Sequence, residues 1–128
     1  MIDSDFIKNS KLSIQNVSRE TLDELNKYSL SIIKKNREIN LISSSTEKSI
    51  NTRHIADSAQ ILDFINKNDV NICTDLGSGA GLPGIVLAIL MKPKKPEFKI
   101  IIYEKSYHKS KFLKEISKKF KLNTEINQ

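Results

Sequence analysis

Four glycines lie within eight residues of this chain, and none occurs elsewhere in its 128 positions. They belong to the segment Asp75-Leu76-Gly77-Ser78-Gly79-Ala80-Gly81-Leu82-Pro83-Gly84, of which we call residues 77–84 the glycine loop. Glycine adopts positive φ freely and has no Cβ to collide with a ligand near the backbone. One apolar run ends at this segment and another begins inside it. The pattern is typical of a strand, a tight turn and a helix that hold a nucleotide-like cofactor.

Two cofactor classes fit the glycine loop. Residues 79–84 match G-x-G-x-x-G, and Glu104 follows 20 residues after the last glycine, which is the spacing of the NAD fingerprint. Residues 75–81 instead match D-x-G-x-G-x-G, the pattern of methyltransferases that use S-adenosylmethionine. Asp75 favours the cationic sulfonium over a pyrophosphate, and Pro83 removes a backbone N–H that would bind phosphate. With either cofactor, the Glu104 carboxylate can accept hydrogen bonds from both ribose hydroxyls.

The elements that must position these residues alternate between strands and helices in the second half of the chain. Apolar periodicity predicts helices near 3–9 and at 18–37, 46–66, 82–91 and 107–120, an extended segment at 39–42, and strands at 70–76, 98–103 and 122–126. Such alternation predicts a parallel sheet, whose ligands bind beyond the carboxyl ends of the strands. The glycine loop and Glu104 follow two successive strands, so we expect them to face one crevice.

Composition and charge limit the class of protein further. With 38% hydrophobic residues and no apolar stretch near the roughly 20 residues that span a bilayer, we expect a soluble cytoplasmic domain without a membrane segment. One cysteine, Cys73, excludes an internal disulfide, and together with two histidines it makes no metal-ligand cluster. Residues 92–121 contain 11 lysines and three glutamates. This excess predicts a polyanionic partner such as RNA, and a solvated lysine-rich surface is the alternative.

Four strings of residues occur in the order in which a known family has them. They are Asn40-Leu41-Ile42-Ser43, Arg53-His54-Ile55-Ala56-Asp57-Ser58, residues 75–85 and Lys111-Phe112-Leu113. Over residues 17–126 the chain resembles RsmG (GidB), the bacterial methyltransferase family that modifies N7 of one guanine in 16S ribosomal RNA. The resemblance implies a Rossmann-like class I methyltransferase fold of the α/β type, with an N-terminal helical extension and S-adenosylmethionine as cofactor. It also implies a monomeric cytoplasmic enzyme that acts on the small ribosomal subunit.

Motif position in this resemblance assigns Gly77 and Leu82 to the cofactor and Glu104 to its ribose. The complete predicted cofactor set is Asp75, Gly77, Ser78, Gly79, Gly81, Leu82 and Glu104. Guanine N7 carries a lone pair and no proton, so attack on the sulfonium methyl needs alignment rather than a general base. We therefore expect no catalytic acid–base pair, and the sequence contains no obvious one.

Three residues upstream of the glycine loop have two possible roles. Arg53, His54 and Asp57 are spaced to share one helical face. As functional residues, Arg53 or His54 would contact an RNA phosphate or the target base near the cofactor. As structural residues, Arg53 and Asp57 would form a surface ion pair, and His54 would cap the glycine loop or fill a polar gap. Asp75 likewise has two possible roles. It would either interact with the methionine end of the ligand or brace the turn.

The domain organisation follows from the resemblance. Residues 1–66 are expected to form the helical extension, and residues 67–128 the first half of the cofactor-binding domain. Family members continue beyond the third strand, so the chain matches a C-terminally truncated member, and strand 70–76 would be central in a complete sheet. Two other functions stay open. One is a non-catalytic remnant that binds cofactor weakly or RNA non-specifically, and the other is an NAD-linked oxidoreductase.

Overall fold

The computed structural model describes residues 17–67 and 69–128, and the helix predicted near residues 3–9 lies outside them. The described elements are, in chain order, helix α1 (Arg19–Lys35), a 3-10 helix (Ser44–Ser49), a π-helical segment (Asn51–Ala56), α2 (Asp57–Ala59), α3 (Ile61–Lys67), β1 (Ile72–Leu76), α4 (Gly84–Met91), β2 (Lys99–Tyr103), α5 (Tyr107–Lys119) and β3 (Thr124–Asn127).

Helix α1 begins where its capping residues predict. Ser18 precedes the helix, and its side chain accepts a hydrogen bond from the backbone N–H of Thr21 at 3.2 Å. Glu20 lies in the first turn, where a negative charge stabilises the positive end of the helix dipole. The apolar stripe of the helix faces the core, with Leu25, Tyr28 and Ile32 fully buried. Helix α1 is therefore held by its packing against the rest of the domain.

The prediction of an extended segment at residues 39–42 is wrong, because residues 39, 41 and 42 lie in bends. The side-chain oxygen of Asn36 accepts hydrogen bonds from the backbone N–H groups of Leu41 at 2.8 Å and Ile42 at 3.1 Å. These local bonds satisfy the two donors that a strand would direct to a neighbouring strand.

The region predicted as one helix at 46–66 is helical in the structure, but it is divided into 3-10, π and α segments with a turn at Gln60. Hydroxyl groups at its start bond locally: Thr46 Oγ1 donates to the Ser43 carbonyl at 3.1 Å, and Ser49 Oγ donates to the Thr46 carbonyl at 3.3 Å. Side chains that bond to nearby backbone oxygens compete with regular helix geometry. The apolar stripe is buried nonetheless, at Ile50, Ile55, Ala59, Leu62 and Ile65.

The three strands form one parallel sheet in the order β1-β2-β3, which confirms the predicted α/β fold. On one face, Ile100 and Ile102 are fully buried. On the opposite face, Ile72, Leu76 and Tyr103 are exposed. Side chains alternate between the two faces of a strand, so only one face of the described sheet is covered.

Helix α4 lies in the middle of the described domain, and every one of its residues is buried. It packs against β2 on one side and against α1, α2 and α3 on the other. A helix that is apolar on all sides is buried on all sides. The N-terminal helices therefore cover the element that follows the glycine loop. The helix starts at Gly84 rather than at the predicted Leu82, because the preceding residues belong to the turn.

Candidate cofactor site at the glycine loop

The glycine loop turns sharply at the carboxyl end of β1. Its backbone has positive φ at three residues, Gly77 (71°), Gly79 (59°) and Gly81 (102°). A Cβ built on Gly77 or Gly79 would meet no described atom within 4 Å. The loop therefore bends as only glycine does readily, and it leaves open space in front of its first half.

The Glu104 carboxylate lies directly against this loop. The side chain is buried at the end of β2, and its Oε2 accepts a hydrogen bond from the Gly79 backbone N–H at 2.9 Å. Its Oε1 accepts a second one from the Ser106 N–H at 3.3 Å. Two predicted site residues that are 25 positions apart are thus brought into contact. Each carboxylate oxygen can accept further hydrogen bonds, so the carboxylate can accept from the loop backbone and from a ligand at the same time.

Asp75 braces the turn. Its Oδ2 accepts a hydrogen bond from the Gly84 backbone N–H at 3.0 Å, at the start of α4. A carboxylate in this position stabilises the positive end of the helix dipole. A Cβ at residue 84 would come within 2.8 Å of the same oxygen, so glycine permits this close approach without a shift of the Asp75 side chain. The structural role that the sequence allowed for Asp75 is therefore present.

Ser78 carries an unusual hydroxyl group. The residue is 4% exposed, and its Oγ has no hydrogen-bond partner within the part of the chain that the structure describes. Buried hydroxyl groups are nearly always hydrogen-bonded, because an unsatisfied one costs roughly 1–3 kcal/mol. The glycine loop thus contains a buried polar group that the described residues leave unsatisfied.

Tyr28 is a loop contact that sequence reasoning missed. Its hydroxyl donates a hydrogen bond to the Ala80 carbonyl at 2.6 Å, across 52 positions of sequence. Burial raises the pKa of this phenol well above its ordinary value, and the nearby charge of Asp75 raises it further. The only sequence signal was the place of Tyr28 in the apolar stripe of α1, which predicts burial but not a partner.

Arg53, His54 and Asp57 line a cavity of about 210 Å³ together with Leu82 and Pro83 of the glycine loop. The structure thus places all three upstream residues beside the second half of the loop. Leu82 is partly buried and forms part of this wall, and the peptide bond that joins it to Pro83 is cis.

His54 is hydrogen-bonded within its own region rather than to the glycine loop. Its Nε2 lies 2.9 Å from the Thr46 hydroxyl. Partial burial lowers the pKa of His54 below its ordinary value, and this outweighs the opposite effect of the Asp57 charge. The imidazole is therefore mainly neutral at neutral pH, and it can act as a hydrogen-bond partner rather than as a cation.

Two negative findings apply to the described ranges, residues 17–67 and 69–128. None of the helices there is long and apolar enough to cross a membrane. The same residues contain no group of three or more histidine, cysteine, aspartate or glutamate side chains that could hold a metal ion.

Parallel strands, a glycine loop after the first strand and a buried carboxylate after the second define a Rossmann-like α/β domain. Comparison with known families is consistent with this class and is more specific. The family model for rRNA small subunit methyltransferase G (GidB) matches residues 21–128. The chain belongs to this family, which confirms the resemblance found in the sequence.

Curated relatives carry the same name, ribosomal RNA small subunit methyltransferase G. The protein of Pelagibacter ubique (strain HTCC1062) is 49% identical over 119 residues, which are 91% of this chain and 55% of the relative. A protein of Cereibacter sphaeroides (strain ATCC 17029) is 37% identical over 94% of this chain and 58% of its own length. A second one, from strain ATCC 17025, is 43% identical over 88% and 53%. The chain spans about half the length of the curated relatives it matches.

Proposed function

We propose that this chain is the part of a methyltransferase that binds S-adenosylmethionine, and that the enzyme methylates N7 of a guanine in 16S ribosomal RNA. The observation that carries the proposal is the contact between the buried Glu104 carboxylate and the Gly79 backbone N–H, at the mouth of an open glycine loop. Family membership supports the reaction, since the relatives are named for methylation of small-subunit rRNA. We further propose that the enzyme is a cytoplasmic monomer.

The residues around the loop fit this cofactor chemically. Glu104 would accept hydrogen bonds from the ribose hydroxyls, and the hydroxyl of Ser78 would bond to a polar group of the ligand. The bare backbone of Gly77 and Gly79 would let the ligand approach closely. Asp75 contributes negative charge near the cationic methionine end. When bound, the cofactor supplies an electrophilic methyl group.

The remaining site residues are assigned to the RNA. Arg53, His54 and Asp57 share a cavity with Leu82 and Pro83, so we place the target base or its phosphate there. Guanine N7 needs no base to remove a proton, and the protein contributes alignment and exclusion of water. In this proposal residues 1–66 are the helical extension, and residues 67–128 are the first half of the cofactor-binding domain.

The geometry of α4 disfavours the dinucleotide alternative. A pyrophosphate binds at a helix N-terminus through free backbone N–H groups and the positive end of the dipole. Here the Gly84 N–H already donates to Asp75 Oδ2, and the carboxylate places a negative charge at that end of the helix. An anionic ligand would be repelled where a sulfonium ligand would be attracted.

Calorimetric titration tests the cofactor assignment. We expect S-adenosylmethionine to release heat on binding to the folded chain, while NADH gives none. A tritiated-methyl assay on 30S subunits that lack the modification then tests transfer, with incorporation into RNA as the expected result. Binding without transfer would support the non-catalytic remnant instead, and heat from NADH alone would support the oxidoreductase.

The role of Glu104 is tested by Glu104→Gln. The amide oxygen can still accept the shorter bond, from the Gly79 N–H, so the loop should keep its conformation, although the longer bond from the Ser106 N–H is lost. A charge-assisted bond to the ribose becomes a neutral one, and we expect S-adenosylmethionine affinity to fall by about 1–2 kcal/mol, roughly 5- to 30-fold. The control Glu97→Gln removes the same charge from an exposed residue before β2 and should bind like the wild type. Equal affinities for S-adenosylmethionine in the wild type, Glu104→Gln and Glu97→Gln would show that Glu104 does not bind the ribose.

A further inference from the structure

We propose that Tyr28 is a positioning residue for the cofactor site, because its hydroxyl holds the glycine loop in the conformation that accepts the methyl donor. The inference deepens the proposed function of that loop and rests on it. Tyr28 belongs to α1, outside both the glycine motif and the strands that carry it.

The hydrogen bond acts at the centre of the loop. Ala80, whose carbonyl accepts from the Tyr28 hydroxyl at 2.6 Å, lies between two residues with positive φ, Gly79 and Gly81. The N–H of the same peptide unit belongs to Gly81 and donates to the Ser78 carbonyl at 3.0 Å. Both polar ends of this peptide are therefore held, one by the loop itself and one by α1. The peptide cannot rotate without losing both bonds.

A second anchor acts on the Ser78–Gly79 peptide. Its N–H, that of Gly79, donates to Glu104 at 2.9 Å, so two peptides of the loop, 78–79 and 80–81, are each held by a side chain from outside the loop. Glycine has the most conformational freedom of any residue, and a loop with several of them must be restrained to keep one shape. Tyr28 restrains the loop from the N-terminal helix, and Glu104 restrains it from β2.

The surroundings of Tyr28 keep its hydroxyl protonated, so that it stays a hydrogen-bond donor. The side chain is fully buried, and the hydroxyl lies close to the loop backbone, since a Cβ on Gly81 would come within 2.9 Å of it. The pKa of Tyr28 is raised by burial and by Asp75, so the hydroxyl keeps its proton at every physiological pH. Loss of this one oxygen would leave the Ala80 carbonyl buried without its donor. The helical extension thus contributes a component of the cofactor site.

The test compares Tyr28→Phe with Ile32→Val in the full chain. Phenylalanine keeps the ring and removes the donor, whereas Ile32→Val trims a fully buried residue one turn further along α1. By calorimetry we expect Tyr28→Phe to bind S-adenosylmethionine about 5- to 20-fold more weakly than the wild type, and Ile32→Val to bind normally. Urea unfolding should show a modest loss of stability in both. Equal affinity in the two variants at similar stability would overturn the proposal.

Amide hydrogen exchange without ligand separates this inference from the proposed function. Exchange at Gly79 and Gly81 should be faster in Tyr28→Phe than in the wild type and unchanged in Ile32→Val. Unchanged exchange in Tyr28→Phe would show that Tyr28 does not hold the loop. Absence of S-adenosylmethionine binding in the wild type would refute the proposed function instead, and the exchange rates would still decide whether Tyr28 restrains the loop.

Discussion

Replacing Gly79 by valine should abolish S-adenosylmethionine binding in a chain that stays folded. No described atom lies within 4 Å of a Cβ built on Gly79, so the new side chain enters the space assigned to the ligand rather than the core. We expect affinity to fall at least about 100-fold, or roughly 3 kcal/mol. Calorimetry measures the loss of binding, and circular dichroism establishes that the protein is folded.

The matched control for this variant is Gly79→Asn. The φ of Gly79 is 59°, in the left-handed region that asparagine tolerates and that a β-branched residue avoids. Asparagine therefore adds bulk with little backbone strain, and it should also abolish binding. Normal affinity in Gly79→Asn would show that strain rather than bulk prevents binding in Gly79→Val, and this would contradict the placement of the cofactor. Wild-type affinity in both would contradict it as well.

Replacing Gly81 by alanine should destabilise the whole domain. The added Cβ would overlap Ile85 Cγ1 and come within 2.9 Å of the Tyr28 hydroxyl, and the φ of Gly81 is 102°. Overpacking costs roughly 1–3 kcal/mol, and a strained backbone costs a similar amount. We expect the free energy of unfolding in urea to fall by about 2–6 kcal/mol, a large part of the stability of a small domain.

Gly77→Ala provides the comparison for this second variant. Residue 77 also has positive φ, 71°, but a Cβ there meets no described atom within 4 Å. We expect backbone strain alone to lower the free energy of unfolding of Gly77→Ala, by about 1–2 kcal/mol. The difference between the two variants measures the packing of Gly81 against Ile85 and Tyr28. Equal losses would mean that the loop can move away from α4 at no cost.

The two expectations differ because the two glycines have different surroundings. Gly79 faces the open side of the loop, and Gly81 faces α4. Although both glycines belong to one motif and both have positive φ, one substitution should affect the ligand and the other the fold. The sequence pattern treats them alike, because it records spacing and not the direction in which a missing Cβ would point.

Much of the fold followed from local patterns. The strand before the glycine loop, the apolar helix after it and the strand before Glu104 are short elements, and their hydrophobic runs predict them. The region at 46–66 is helical as predicted, but it is irregular. At its start the hydroxyl groups of Thr46 and Ser49 bond to nearby backbone oxygens, and residues 44–49 form a 3-10 helix, whereas periodicity alone predicts one continuous helix.

The candidate site was predictable to a similar extent. The position of Glu104 after the second strand placed it near the loop, because parallel strands end at one edge of a sheet. The two interpretations of Asp75 could not be separated by sequence, since both need the same residue at the same position. The 3.0 Å bond to Gly84 shows the bracing role directly. Its electrostatic effect on a ligand remains part of the proposal.

The sequence by itself determined where the chain bends and which side chains are available, because glycine spacing, caps and apolar periodicity act over a few residues. The tertiary structure alone decided which of these groups meet. Tyr28 contacts Ala80 across 52 positions only because α1 packs on α4, and Gly81 differs from Gly79 only because Ile85 lies behind it. Contacts of this kind depend on how separate elements dock, and no local pattern encodes that geometry.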